Sequence, residues 1–139
     1  MPDLTLEAAR LLIDRAIAET RQEFKRPIGV AVCDPLGFLI AFSRMDGAPV
    51  RSIAISQGKA YTAVRMGVST EAFLARIQKE GIEIGYFCDP QLTALPGGSV
   101  LRDGAGTVVG GIGVSGLTSA EDQIITERIA GLVRSSQSL

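Results

Sequence analysis

Arg44 and Asp46 stand at the end of an alternating apolar stretch, Phe38-Leu39-Ile40-Ala41-Phe42-Ser43, and Lys59 follows within the next periodic segment. On strict alternation Arg44 shares a strand face with Phe38, Ile40 and Phe42, and a guanidinium ending an apolar row needs a definite partner. Asp46 is the nearest candidate, which gives a structural ion pair as one reading. In the functional reading, Arg44 and Lys59 hold a carboxylate while Asp46 orients them. An enzyme would use the same three residues differently. Arg44 would fix the substrate, and Asp46 or Lys59 would transfer protons once burial moved a pKa toward neutrality.

The residue types that are missing narrow this chemistry. The chain has no His, so an imidazole base, a Ser-His-Asp triad and a His-ligated zinc are all excluded. Cys33 and Cys88 are too few and too distant in sequence for a disulfide framework or a four-ligand metal site. Met45, Met66, Tyr61, Tyr86 and the two thiols are the side chains able to ligate haem iron, although each has a packing role as its simpler reading. Gly111-Ile112-Gly113-Val114-Ser115-Gly116 fits the G-x-G-x-x-G expression. The chain ends after the next helix, so the parallel strand and acidic residue of a dinucleotide fold have no place. Close packing explains these glycines better.

Charge argues against nucleic acid and membranes as partners. Fourteen basic and fifteen acidic residues give a net charge of -1, too little to draw the chain to a polyanion. Within that balance, residues 44–79 carry net +4 and residues 80–139 net -4, a polarity suited to a cleft for a small anion. No apolar run approaches the roughly 18 residues of a membrane span, and no signal-type segment opens the chain. The expectation is a cytoplasmic protein without a metal centre. Its 139 residues fit a single domain, 1–139, with 134–139 as a frayed tail.

These residues must be positioned by elements that the pattern also predicts. A helical period runs from Thr5, its N-cap, to Phe24, closed by Pro27. Ile28 to Cys33 reads as a central strand, Asp34-Pro35-Leu36-Gly37 as a type I turn, and Phe38 to Met45 as the second strand of a hairpin. Val50 to Gly67 is a helix with a small-residue seam, Ser56, Ala60, Ala63 and Gly67, suited to close approach to a sheet. Arg51, Gly58 and Arg65 fall on its opposite side. Lys59 falls on neither, beside Ser52, Ile55 and Met66, where its ammonium either snorkels outward or edges a pocket. Ser69 caps a short helix over 70–79.

Beyond it, Ile82, Ile84, Tyr86 and Cys88 alternate as a short strand, and Pro96-Gly97-Gly98 makes a flexible corner. Asp103-Gly104-Ala105-Gly106 joins a second hairpin. Thr118 or Ser119 opens the last helix, with Ser119 and Asp122 spaced as a capping box. This order lacks regular βαβ alternation and predicts an α+β fold, an antiparallel sheet with helices packed on it.

Four strings, Ile28-Gly29-Val30-Ala31-Val32-Cys33-Asp34, Gly37 to Ala48, Lys59-Ala60-Tyr61-Thr62-Ala63 and Gly110 to Gly116, resemble the GlcG/HbpS-like haem-binding and haem-degrading family. The resemblance covers most of the chain; the Pro96-Gly97-Gly98 corner and Asp122 also fit it. It implies a profilin-like domain with a sheet of about five antiparallel strands flanked by helices, commonly assembled into homo-oligomers, in proteins found in catabolic gene clusters. Two departures stand out. There is no imidazole to carry a relative's haem ligation, and Cys33 replaces the usual aliphatic residue. Arg44 to Gly47, Lys59 and Gly97-Gly98 match as pocket-forming positions.

The leading expectation is a binding protein for a small planar anion, with haem or a related tetrapyrrole as cofactor or ligand. Arg44 and Lys59 take the carboxylates, flanked by Asp46, Ser52, Gly97 and Gly98, and Ile55 and Met66 give apolar contact. One alternative is a cofactor-free isomerase, tautomerase or hydrolytic deaminase acting on a small carboxylate. Another is an oligomeric accessory protein without a small ligand.

Overall fold

The computed structural model describes residues 4–136, and its order of elements follows from local sequence. Helix α1 spans Leu6–Glu23, with the Thr5 side chain accepting from the Ala8 N–H as N-cap. Strand β1 is Gly29–Cys33 and β2 is Leu39–Arg44. In the turn between them, Asp34 Oδ1 accepts from the backbone N–H of Leu36 and of Phe38, and the Gly37 N–H closes on the Asp34 carbonyl. Gly37 has φ +97°, a conformation that glycine adopts without strain. Helix α2 spans Ser52–Met66, α3 Thr70–Glu80, and strands β3 and β4 Gly98–Arg102 and Val108–Ser115. Helix α4, Ser119–Ser135, completes the fold. The helical pattern thus extends into the expected tail; residues 137–139 lie outside the described residues.

The four strands form one antiparallel sheet in the order β2-β1-β4-β3. Four strands, not about five, are present among the described residues, because the alternating stretch after α3 is not a strand. Ile84–Phe87 forms a 3-10 turn, whose three-residue period brings Ile84 and Phe87 together against Phe73 and Ile77. Phe73 meets Phe87 edge to face at 5.3 Å between centroids. Tyr86 is left 64% exposed.

Each face of the sheet carries helices. Val30, Val32, Ile112 and Val114 join α1 and α4 in the main core through Leu12, Ile13, Ile125 and Ile129. The alternate residues Ala31 and Cys33 lie under α2 with Ala60, Val64 and Phe42. This second interface depends on the seam read from the sequence. A Cβ at Gly113 would overlap the Ser56 carbonyl, and one at Gly111 would come 2.8 Å from the Ala60 carbonyl. The apparent dinucleotide fingerprint is therefore the surface on which α2 rests.

Strand β2 departs from strict alternation. Its register shifts where Val32 faces Ala41 but Cys33 faces Leu39, leaving Ile40 as a bulge. Ile40 and Ala41 both turn toward the α1/α4 core, whereas Phe42 packs under α2. Arg44 shares a face with Phe42 but not with Ile40, which corrects the face expected from simple alternation.

Candidate functional site

Lys59 is the one basic side chain among the described residues that the fold buries. Positions 52, 56, 59 and 63 lie along one buried stripe of α2, so Lys59 belongs to the sheet-facing seam, not beside it. Its ammonium neither snorkels nor edges a pocket. It passes the start of β3 and donates to the Val114 carbonyl at 2.8 Å and to Asp122 Oδ2 at 3.0 Å. The two side chains are 2% and 3% exposed. The pair thereby joins the helix on one face of the sheet to a helix on the other.

Asp122 reaches this position because α4 begins one residue earlier than Ser119 would place it. Thr118 is the N-cap and Glu121 the reciprocating member of the capping box. Asp122 is thus released from capping and turned inward. Its Oδ1 accepts the Leu117 N–H at 3.1 Å, and its place in the first turn of α4 favours negative charge. Burial pushes the Lys59 ammonium down from its ordinary range and the Asp122 carboxyl up, while their mutual attraction opposes both shifts.

The Gly97-Gly98 corner is buried against this pair, not flexible. At Gly97, φ is +126°, and a Cβ would lie 2.7 Å from both Lys59 Nζ and the Asp122 Cβ; at Gly98 it would overlap the Lys59 carbonyl. Gln123 ties down the same corner. Its Oε1 accepts from the Gly97 N–H, and the two hydrogens on its Nε2 are shared among the Gly98 carbonyl, Ser99 Oγ and Glu127 Oε1. Thr70 Oγ1 accepts from the Gly98 N–H. No buried side-chain nitrogen or oxygen among the described residues lacks a hydrogen bond. The network is complete without a ligand, as a buried polar cluster must be to hold one geometry.

The expected site residues therefore separate into groups. Lys59, Gly97 and Gly98 come together around Asp122. Arg44 and Asp46 are exposed at the far end of β2, with no ion pair between them or to any other described residue. The structural pair expected of them is absent. Lys59 is closed off from solvent and engaged by Asp122 and the Val114 carbonyl, so its ammonium is not presented to a carboxylate bound at Arg44. Ser52 is buried over Gly29 and donates to the Pro49 carbonyl. Ile55 is half-buried, and Met66 packs in the separate Phe73 cluster.

The sequence marks Asp122 as a capping residue and as a match to the family but not as a site residue, and it does not single out Gln123 or Thr70. The available signal was the stripe Asp122, Ile125, Ile129 and Val133, which places a carboxylate on the buried face of α4. Among groups able to ligate iron, Met45 Sδ accepts the Ile28 N–H and Tyr61 donates to Asp89 at 2.6 Å. The Cys33 thiol is buried and pushed up to about 12, chiefly by desolvation. Tyr86 and Cys88 are exposed. No group of three or more Cys, Asp or Glu among the described residues is arranged to hold a metal ion, and no described helix is long and apolar enough to cross a membrane.

An antiparallel α+β sheet layered between helices, with a buried cation from one layer clasped by a carboxylate of the other, defines the architectural class. The family model described as haem-degrading protein HbpS-like matches residues 4–130, and the chain belongs to this family. It is 31% identical over 125 residues to an uncharacterised 15.0 kDa protein from the dhaT-dhaS intergenic region of Citrobacter freundii, covering 89% of this chain and 87% of that one. The crystal structure of Klebsiella pneumoniae protein ORFY is similar at a TM-score of 0.85 and 25% identity, covering 99% of this chain and 94% of that one. A crystal structure of a PduOC:heme complex is similar at a TM-score of 0.79 and 25% identity, covering 93% and 94%.

Proposed function

We propose that this chain binds haem or a related planar anionic molecule, with Arg44 taking a carboxylate. The observation that supports this most is the likeness, over nearly the whole chain, to a protein whose crystal structure is a heme complex. The local geometry agrees at the carboxylate end: Arg44 is an exposed guanidinium without an ionic partner among the described residues. Asp46, also exposed, flanks it and orients the approach. Lys59 acts at a distance, by holding Gly97, β4 and α4 in place.

At the iron end the described residues do not supply a ligand beside Arg44. Met45 is tied to Ile28. Tyr61 lies at the Gly37 end of β2, about 17 Å along the strand from Arg44 at about 3.3 Å per residue. The reading therefore assigns carboxylate recognition to Arg44 and no role to an axial side chain. Titration with hemin, followed in the Soret region, tests it. A saturable, stoichiometric shift in the parent protein that is lost in Arg44→Ala is expected. No shift, or a shift indifferent to Arg44→Ala in a variant of unchanged Tm, would reject the assignment.

A further inference from the structure

A groove of about 440 Å³ lies on the outer face of α2, at the end of β2 remote from Arg44. Its floor is the helix surface at Ala54 and Gly58. Gln57 and Tyr61 flank that floor, the β1–β2 turn closes one side at Gly37, and Pro90 and Gln91 close the other. The volume lies within the range of small-molecule sites, and no lining residue carries a formal charge.

Two observations indicate that this space is maintained. The first is Gly58. Glycine inside a helix costs about 1 kcal/mol relative to alanine, and a glycine within a regular element is normally explained by packing, as it is in strand β4 at Gly111 and Gly113. At Gly58 a Cβ would meet the Gln91 carbonyl and Thr93 Cγ2 at 3.5 Å each, which is ordinary contact. The neighbours do not require glycine there, yet a side chain would narrow the groove.

The second is the way the rim is fixed. The Tyr61 hydroxyl donates to Asp89 Oδ2 at 2.6 Å, Asp89 Oδ1 accepts the Gln91 N–H, and Thr62 Oγ1 accepts the Thr93 N–H. Arg65 sits 4.7 Å from the Tyr61 ring and donates to the Leu36 carbonyl, tying the ring to the β1–β2 turn. Within this rim some amide capacity is unused. Gln57 Nε2 is bound to the Ile53 carbonyl, which leaves its Oε1 as an acceptor. The Gln91 carboxamide makes no hydrogen bond to a described residue.

We infer that this groove is a second binding site, for an uncharged planar ring bearing an amide or hydroxyl donor. The ring lies over Ala54 and Gly58 between Tyr61 and Pro90, and its donor meets Gln57 Oε1 or the Gln91 carboxamide. A charged ligand would meet no unengaged counter-charge, because Arg65 on the rim is held by the Leu36 carbonyl and Asp89 by the Tyr61 hydroxyl and the Gln91 N–H. The site is independent of the carboxylate contact at Arg44.

Benzamide is the probe and benzoate its charged counterpart, titrated into the full chain and followed by two-dimensional amide NMR. The expected result is saturable benzamide shifts at the Gly37, Gly58 and Gln91 amides and the Gln57 and Gln91 side-chain amides, with Kd at or below about 1 mM. Benzoate should bind at least about tenfold more weakly. Ala54→Leu, on an exposed helix position, should weaken benzamide at least about tenfold at unchanged Tm; Arg44→Ala should leave it unaffected. Should Ala54→Leu fold poorly, Gly58→Ala replaces it, with weaker benzamide binding and a Tm at or above the parent's. Absence of saturable shifts, equal response to benzoate, or full binding by the folded groove variant would each overturn the proposal.

Discussion

Removing one member of the Lys59–Asp122 pair should be among the most damaging conservative changes available to this fold. Both side chains are almost fully buried, so Lys59→Met leaves a carboxylate with the Leu117 N–H but no cation. Asp122→Asn instead brings an amide against an ammonium that retains only the Val114 carbonyl. Stranding a buried charge in this way costs about 3–5 kcal/mol. For a domain of this size each kcal/mol corresponds to about 3–5 °C, so either variant should lose about 10–20 °C in Tm. The paired replacement Lys59→Met/Asp122→Leu should recover most of the loss, because the desolvation that burial imposes on both charges disappears with them. Urea unfolding followed by circular dichroism gives each free energy, and an unchanged m-value shows that the two-state comparison holds. A loss below about 1 kcal/mol in either single variant would refute the argument. So would a double variant whose loss equals the sum of the two.

Gly113→Ala should destabilise the fold by about 3 kcal/mol, measured by the same unfolding, because its Cβ overlaps the Ser56 carbonyl and neither backbone has room to retreat; a loss under about 1 kcal/mol would mean that α2 is not seated as described. The two thiols should separate cleanly: at pH 8 a disulfide reagent should label exposed Cys88 in the native protein and reach buried Cys33 only after unfolding. Because the Cys33 thiol is raised from 9.0 to about 12, the native state keeps a proton that the unfolded chain loses. Stability should therefore fall as pH rises from about 9 toward 12, less steeply in Cys33→Ala, as measured by urea titration across that range.

The sequence by itself determined most of the local structure, since caps, turns and periodicities act between residues a few positions apart. Thr5 and Ser69 cap their helices as read, Asp34 and Asp103 organise the two hairpin turns, and the small residues of α2 announced its close approach to a sheet. It also carried the family resemblance and excluded imidazole chemistry. Three features needed the tertiary structure because each depends on partners distant along the chain. Whether Ile84 to Cys88 continues the sheet depends on the Phe73 cluster, which engages Ile84 and Phe87 and leaves the alternating set unused. The face that Ile40 takes is set by the register of β2 against β1, where a single bulge inverts the alternation. The fate of Lys59 rests on a carboxylate 63 positions away. A charge is buried only where a counter-charge and hydrogen bonds await it, and only the packing of α4 across the edge of the sheet brings them there.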